Sequence, residues 1–277
     1  MDGFKKSMEI TWLGHSCFRM TERGLGSVVC DPYDSQTAGF EPLKLKGDIV
    51  TVSCNEPGHN FVSAVKSDYF LMDRPGEYEV NNIFVNGYPS KDLDGRKNTI
   101  FTIEFNGLFI AHLGTLDHVL SQTEIEALGT VNVLLIPVGG GDALNAAKAV
   151  ELISNIQPNI VIPMHYGVSM EKQPLDPLSK FLKEMGIVEP DNIFTTFKIT
   201  NSTQLPEETK VVILNHPLES EIEKLSESDH MDSSSTGSLK ESADSEKMPE
   251  FIDFNLDDKD SDDSEKSRNS EKDDNEG

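Results

Sequence analysis

Short apolar runs separated by polar turns make up most of the chain. Runs of three to seven residues rich in Val, Ile, Leu, Thr and Phe are bounded by Gly, Asn, Asp or Pro. This pattern predicts β-strands at 9–13, 17–21, 27–30, 49–53, 83–85, 99–105, 108–111, 133–138, 159–163, 193–197 and 210–214. Asn106-Gly107 separates two of these runs and is a strong hairpin signal, so strands 99–105 and 108–111 are predicted to be antiparallel neighbours.

Helical periodicity appears in four segments, 61–66, 121–128, 142–156 and 174–185. The clearest is 142–156, where apolar side chains repeat along one face and Asp142 stands where an N-terminal cap is expected. The last segment ends at Gly186, a residue typical of helix C-termini. Strand-rich halves that are each closed by strand–helix units predict two sheets packed face to face with helices outside.

Charge divides the chain into two regions. The whole chain has 24 Lys and Arg against 48 Asp and Glu, a net charge of −24, and residues 217–277 alone hold 21 acidic and 7 basic residues. Apolar side chains are scarce after residue 215, too few to offset the entropy lost on ordering. We therefore predict a folded domain at 1–215 and an acidic, low-complexity, disordered tail at 216–277.

The same features limit the partners and the compartment. A strongly acidic protein repels nucleic acid and anionic lipid, so neither is an expected partner. Three cysteines at unrelated spacings do not suggest a disulfide framework, and the chain has no apolar signal segment or run of eighteen apolar residues. The cytoplasm is the expected location, and the oligomeric state is left open.

One apolar cluster interrupts the acidic tail. It reads Met248-Pro-Glu-Phe-Ile-Asp-Phe-Asn-Leu256 and is flanked by acidic residues. Two interpretations stand: residual hydrophobicity without a role, or a short motif that docks on a protein partner.

Histidines are the most informative residues of the domain. Five of the seven follow an apolar β-run, at a strand end or in the next loop: His15, His59, His112, His118 and His165. One histidine in such a position is usually structural, but five at strand exits suggest a metal site, because imidazole is a common ligand of zinc and similar metals.

Six segments carry a more specific resemblance. They are Trp12-Leu-Gly-His15-Ser-Cys-Phe18, the run from Asp48 to Asn60, Pro75-Gly-Glu-Tyr-Glu-Val80, His112-Leu-Gly-Thr115 with His118, Leu134-Leu-Ile-Pro-Val-Gly-Gly140, and Ile162-Pro-Met-His165-Tyr. In this order the chain resembles the metallo-β-lactamase superfamily, in the branch of L-ascorbate 6-phosphate lactonases and related metal-dependent hydrolases. The resemblance implies a four-layer αββα sandwich, in the α/β (α+β) class.

The resemblance also implies a ligand set, and the chain departs from it. The family's loop reads His-x-His-x-Asp-His, whereas this chain has Cys54, Glu56, Gly58 and His59 at those four positions. The third ligand of the first site falls on His112 and the last ligand of the second site on His165. The bridging carboxylate falls on the neutral Thr115.

Two interpretations of the site follow. A single divalent transition metal, zinc or manganese, would be held by Cys54, Glu56 and His112, with His59 and His165 too few to hold a second ion. Alternatively no metal binds, and Cys54 is a buried thiol and Glu56 a solvated carboxylate. His15 and His118 are the catalytic candidates. For His15 the alternative is a structural residue, and for His118 it is a residue of the loop surface.

Function divides in the same way. The first hypothesis is a hydrolase that uses metal-activated water to cleave an ester, lactone or phosphoester bond of a small molecule. The second is a catalytically silent scaffold or small-ligand-binding protein whose tail mediates interactions. The replaced ligands count against the first hypothesis.

Overall fold

The computed structural model describes residues 7–91, 94–190, 193–199 and 205–217. The predicted tail, apart from His216 and Pro217, lies outside the described residues, and so does the cluster at 248–256. None of the described helices has the length and apolarity needed to cross a bilayer.

The first sheet is mixed and contains six strands, in the order β13-β1-β2-β3-β4-β5. Strands β1 and β3 both pair antiparallel with β2, and β3, β4 and β5 run parallel to one another. Its strands are β1 (Met8–Gly14), β2 (Cys17–Glu22), β3 (Gly26–Cys30), β4 (Ile49–Thr51), β5 (Phe70–Met72) and β13 (Thr196–Ile199).

The second sheet has seven strands in the order β14-β11-β10-β9-β8-β7-β6. Strands β10 and β11 are buried at every position, as expected for parallel strands covered on both faces. The strands are β6 (Gly76–Val80), β7 (Ile83–Lys91), β8 (Lys97–Phe105), β9 (Leu108–His112), β10 (Val133–Pro137), β11 (Ile160–Met164) and β14 (Lys210–Val211). A parallel pair, β12 (Ile193–Phe194) and β15 (Ile213–Leu214), forms a third, two-stranded sheet.

The predicted hairpin is confirmed. Phe105 pairs with Leu108 in the antiparallel β8–β9 ladder, and Asn106 and Gly107 both adopt positive φ, 48° and 79°. Two positive φ angles are what a tight hairpin turn requires, and Asn-Gly supplies them at little cost. Strand β5 was not predicted: Phe70 and Leu71 are exposed, and its three residues give too short a pattern.

The described residues contain four helices and one 3-10 turn. Three of the helices and the turn fall within predicted segments, whereas the first helix was not predicted. The helices are α1 (Ser35–Ala38), α2 (Gln122–Leu128), α3 (Ala146–Ile156) and α4 (Leu178–Glu184). Segment 61–66 contains only the 3-10 turn Val62–Ala64. The prediction that Asp142 caps the longest helix is wrong, because α3 begins later and Asn145 caps it, accepting a hydrogen bond from Lys148 N at 3.0 Å.

Both sheets contribute to one buried apolar core. Trp12 and Phe18 from the first sheet belong to the same cluster as Phe101 and Ile110 from the second. A shared core means that the inner faces of the two sheets pack against each other, as the sequence predicted.

The strand directions bring the exits of several strands to one edge. Because β1, β3 and β4 are parallel to one another, the residues that follow them emerge on the same side of the first sheet. The exits of β9, β10 and β11 likewise share one edge of the second sheet. His15, Asp31 and His59 follow the first set, and His112, Asp142 and His165 lie at or beyond the second.

Candidate metal centre

Three histidines from the two sheets meet at this edge. His15 lies in the turn between β1 and β2, His59 in the loop after β4, and His165 directly after β11. Ring centroids are 5.0 Å apart for His15 and His59, 4.5 Å for His15 and His165, and 6.1 Å for His59 and His165. One potential ligand atom from each lies within 4.8 Å of the other two. We call these residues the histidine triad.

Two hydrogen bonds to one carbonyl oxygen hold His15 in place and join it to His165. The carbonyl oxygen of His15 accepts from the indole of Trp12 at 2.9 Å and from the backbone N–H of His165 at 3.0 Å. His15 and His165 both have positive φ, 51° and 52°. Such backbone costs about 1–3 kcal/mol per non-glycine residue and is concentrated at functional sites.

Each triad imidazole is held through Nδ1. His15 Nδ1 donates to Glu171 Oε2 at 3.0 Å, and His59 Nδ1 donates to Asp31 Oδ2 at 2.8 Å, since ionised carboxylates only accept. His165 Nδ1 lies 3.5 Å from the hydroxyl of Ser16. The Nε2 atoms of His15 and His165 are buried without a hydrogen-bond partner. A carboxylate behind the imidazole is the arrangement that orients histidine ligands in metal sites.

Electrostatics keep His15 uncharged at neutral pH. Burial, then repulsion from His165, lowers the pKa of His15 to about 4, although the hydrogen bond to Glu171 opposes this change. A neutral ring with its proton on Nδ1 leaves a lone pair on Nε2. Burial alone would raise the pKa of Asp31, but attraction to His112 and the bonds from His59 and Ser53 hold it below its ordinary value.

A glycine provides the space beside His15. A Cβ atom at Gly58 would lie 2.8 Å from His15 Nε2, so a side chain at this position would collide with the ring. The resemblance places the family's aspartate at Gly58. In this chain the imidazole of His15 lies against the position from which that carboxylate would extend.

The other predicted ligands lie outside the triad. His112 is fully buried, its Nε2 donates to the carbonyl oxygen of Ser16 at 2.9 Å, and Gly114 N donates to its Nδ1 at 3.3 Å. Both ring nitrogens therefore have partners within the protein. Glu56 is exposed, and burial raises the pKa of the Cys54 thiol to about 12, which keeps it protonated in the metal-free protein.

His118 is separate as well. Its Nδ1 pairs with Asp117 Oδ1 at 2.9 Å, and its side chain is partly exposed in the loop that leads to α2. Its catalytic role stays a prediction, like the metal-ligand roles of Cys54, Glu56 and His112.

Sequence reasoning missed two buried carboxylates. Asp31 follows β3 directly, and its position at a strand exit next to Pro32 was an available signal. For Glu171 the sequence offered no such signal, because the residue lies in a polar loop without periodicity. It is buried because this loop folds onto α1, where Lys172 N donates to the carbonyl oxygen of Ala38 at 3.2 Å.

A cleft of about 600 Å³ lies next to this region and is lined by apolar and aromatic side chains, among them Trp12, Tyr166, Met170 and Leu178. The rings of Trp12 and Tyr166 stack with centroids 5.1 Å apart. No triad residue lines the cleft, but two lining residues adjoin the triad. Tyr166 follows His165 in the chain, and the indole of Trp12 donates to the carbonyl oxygen of His15.

The fold and the triad together define a class: a two-sheet αββα protein with a cluster of metal-binding side chains at the strand exits. The sequence profile of the family described as "Beta-lactamase superfamily domain" matches residues 9–165, more than half of the chain. The chain therefore belongs to the metallo-β-lactamase superfamily, and the predicted sandwich fold and the resemblance to this superfamily are confirmed.

Relatives agree with this assignment. One relative is a solved structure from Thermotoga maritima, described as a proposed Zn-dependent hydrolase of the metallo-β-lactamase superfamily. It is 33% identical in sequence and has a TM-score of 0.61, and the match covers 75% of this chain and 98% of the relative. A UPF0173 protein from Pyrococcus furiosus is 29% identical over 204 residues, 64% of this chain and 90% of the relative. A UPF0173 metal-dependent hydrolase from Archaeoglobus fulgidus is 27% identical over 217 residues, 65% of this chain and 93% of the relative.

Proposed function

We propose that the chain is a metal-dependent hydrolase whose metal, zinc or manganese, is held by His15, His59 and His165. The observation that carries this proposal is the convergence of the three rings, together with two buried Nε2 atoms that have no hydrogen-bond partner among the described residues. An unpartnered buried polar atom is costly, and a metal ion would remove that cost. Relatives named metal-dependent hydrolases support the same reading.

The donor set fits a transition metal. Three neutral imidazoles are common around catalytic zinc, which takes three protein ligands and keeps one position open. Nitrogen ligands favour zinc over manganese, which prefers carboxylate and water. Gly58 leaves the approach to His15 Nε2 free of a side chain.

The residues around the triad orient its imidazoles for metal binding. Glu171 and Asp31 hold the Nδ1 protons of His15 and His59, which fixes the tautomer in which Nε2 accepts a metal. Ser53 donates its N–H and its hydroxyl to Asp31 and so fixes that carboxylate in turn. A divalent metal bound there supplies a Lewis acid that makes water nucleophilic near neutral pH.

The proposed substrates are small molecules with an ester, lactone or phosphoester bond, since water is the nucleophile that this chemistry provides. The missing carboxylates at Gly58 and Thr115 make a single metal the expected stoichiometry.

Metal content and activity test the proposal together. Full-length protein purified without chelator is analysed for metal, loaded with zinc or manganese, and assayed on chromogenic ester, lactone and phosphodiester substrates. About one metal per chain and activity lost in His59→Ala and His165→Ala are expected, while Asp73→Asn, an exposed carboxylate paired with Arg74, serves as control. Metal binding without activity on any substrate would favour the silent scaffold, and absence of metal would contradict the proposal itself.

A further inference from the structure

A carboxylate outside the family's ligand pattern points at the triad. Asp142 Oδ1 lies 3.4 Å from His165 Nε2. Both atoms are buried, yet their geometry is not that of a hydrogen bond, and neither has another hydrogen-bond partner. Among the described side chains, the unpartnered polar atoms thus include two triad nitrogens and one carboxylate oxygen next to them.

The loop that carries Asp142 is built to lie against His165. Gly139 N donates to the carbonyl oxygen of His165 at 2.9 Å, and a Cβ at Gly139 would lie 2.3 Å from that oxygen. Gly140 and Gly141 both have a φ of 72°. Only glycine allows this close approach, and two consecutive residues with positive φ, without strain. The Gly139-Gly140-Gly141 run therefore brings the next residue, Asp142, to the metal centre.

Helix capping does not account for the Asp142 carboxylate. Asn145, not Asp142, caps helix α3. Oδ2 of Asp142 is 3.9 Å from Arg96 Nη1, and the side chain is 35% exposed, so one oxygen faces a cation at the rim while the other is buried beside the triad.

The family's two carboxylate positions are neutral here, at Gly58 and Thr115. Three imidazoles bring no negative charge into direct contact with a divalent ion, and the carboxylates of Glu171 and Asp31 lie behind the rings. A carboxylate ligand would place that charge next to the ion.

We propose that Asp142 Oδ1 is the fourth protein ligand of the metal held by the histidine triad. This inference rests on the proposed function, because it requires that the triad binds metal. It makes the centre a His3Asp site, with the carboxylate supplied by the glycine loop after β10 instead of by the positions the family uses. Zinc with four protein ligands has no open position unless it expands to five-coordination. Catalysis would therefore require Asp142 to loosen or the coordination to expand.

The first test is affinity for zinc alone, measured on full-length, chelator-stripped protein in competition with a chromophoric chelator. Asp142→Asn keeps the shape and removes the charge. Glu171→Gln removes only a partner behind His15, and Asp117→Asn removes a carboxylate that pairs with His118 outside the triad. We expect Asp142→Asn to weaken zinc binding by more than the roughly 10–100-fold that loss of an outer partner costs, Glu171→Gln to fall within that range, and Asp117→Asn to match the parent.

Zinc binding by Asp142→Asn within about 100-fold of the parent, the range of an outer partner, would overturn the inference and leave the proposed function intact. A parent that binds no zinc would overturn both. Thermal unfolding monitored by circular dichroism verifies that each variant is folded before titration.

A crystal structure of the zinc-loaded parent provides the second readout. Oδ1 of Asp142 should lie about 2.0–2.2 Å from the ion, the distance of a zinc–carboxylate bond. An ion held by the triad with Asp142 beyond bonding distance would overturn the inference even if affinity falls, because the carboxylate would then act only through the field at the site.

Discussion

The ring of His15 lies where a side chain at Gly58 would begin: a Cβ atom at Gly58 would lie 2.8 Å from Nε2 and 3.3 Å from Cδ2 of the ring. The resemblance places an aspartate at residue 58 and gives His15 no ligand role. In this chain the two positions are coupled, because the ring can lie there only while residue 58 lacks a side chain. Restoring the family aspartate at residue 58 alone would therefore displace a triad ligand.

Gly58→Ala is expected to push the His15 ring away from the triad. Forcing one methyl group into this packed site should lower the free energy of unfolding by about 1–3 kcal/mol, and it should also weaken metal binding. Urea unfolding and zinc competition measure the two effects. The double variant Gly58→Ala with His15→Ala is the control, because without the ring the methyl group has room. If Gly58→Ala costs the same stability in the His15→Ala background, the proposed collision is not the cause.

His112→Ala should damage the fold more than the metal site. The Nε2–H of His112 is the donor to the Ser16 carbonyl, and leaving such a buried oxygen without a donor costs roughly 1–3 kcal/mol. Below its melting temperature the variant should still bind one metal per chain, whereas His59→Ala should bind none. His118→Ala, partly exposed, provides a histidine control for stability. Complete loss of metal from folded His112→Ala would return His112 to the ligand set that the resemblance implies.

Asn145 caps helix α3, and Asp142 does not. Asn145→Ala should cost about 1 kcal/mol of stability, the usual price of a lost N-cap. Asp142→Ala should leave helix stability nearly unchanged in the metal-free protein, because the helix begins after it. The measurement is thermal unfolding of both variants without metal. A larger loss for Asp142→Ala than for Asn145→Ala would show that Asp142 has a structural duty.

The sequence predicted the strands well where local chemistry decides. Asn106-Gly107 fixes a hairpin by itself, and β10 and β11 are apolar throughout because both of their faces are buried. It also placed candidate histidines at strand exits, and the strand directions brought His15, His59 and His165 to one edge.

What remained hidden depends on contacts between distant segments. His112 ends β9, but its ring bonds to the backbone of Ser16, 96 residues away in the chain. Asp142 and Asn145 are both acceptable caps by residue type, and only the packed position of α3 decides between them. Glu171 is polar and lies in a loop, so no periodic pattern could reveal that its carboxylate is buried behind His15.

Acid should destabilise the metal-free protein through His15. The pKa of His15 is about 4 in the folded protein against 6.5 for an unperturbed histidine, so between these values the unfolded chain binds more protons than the folded one. The free energy of unfolding should therefore decrease as the pH falls from 6.5 towards 4. The lowered pKa of His15 accounts for a decrease of roughly 3 kcal/mol.

Urea unfolding of chelator-stripped protein at several pH values between 7.5 and 4 measures this dependence. His15→Gln lacks the titrating ring and should lose less stability over the same window. It should keep part of the slope, because burial also lowers the pKa of His112, which acts in the same direction. Zinc should steepen the loss in the parent, since protons and metal compete for the same nitrogen atoms. Parallel stability curves for the parent and His15→Gln without metal would show that the His15 ring is not held neutral by the fold.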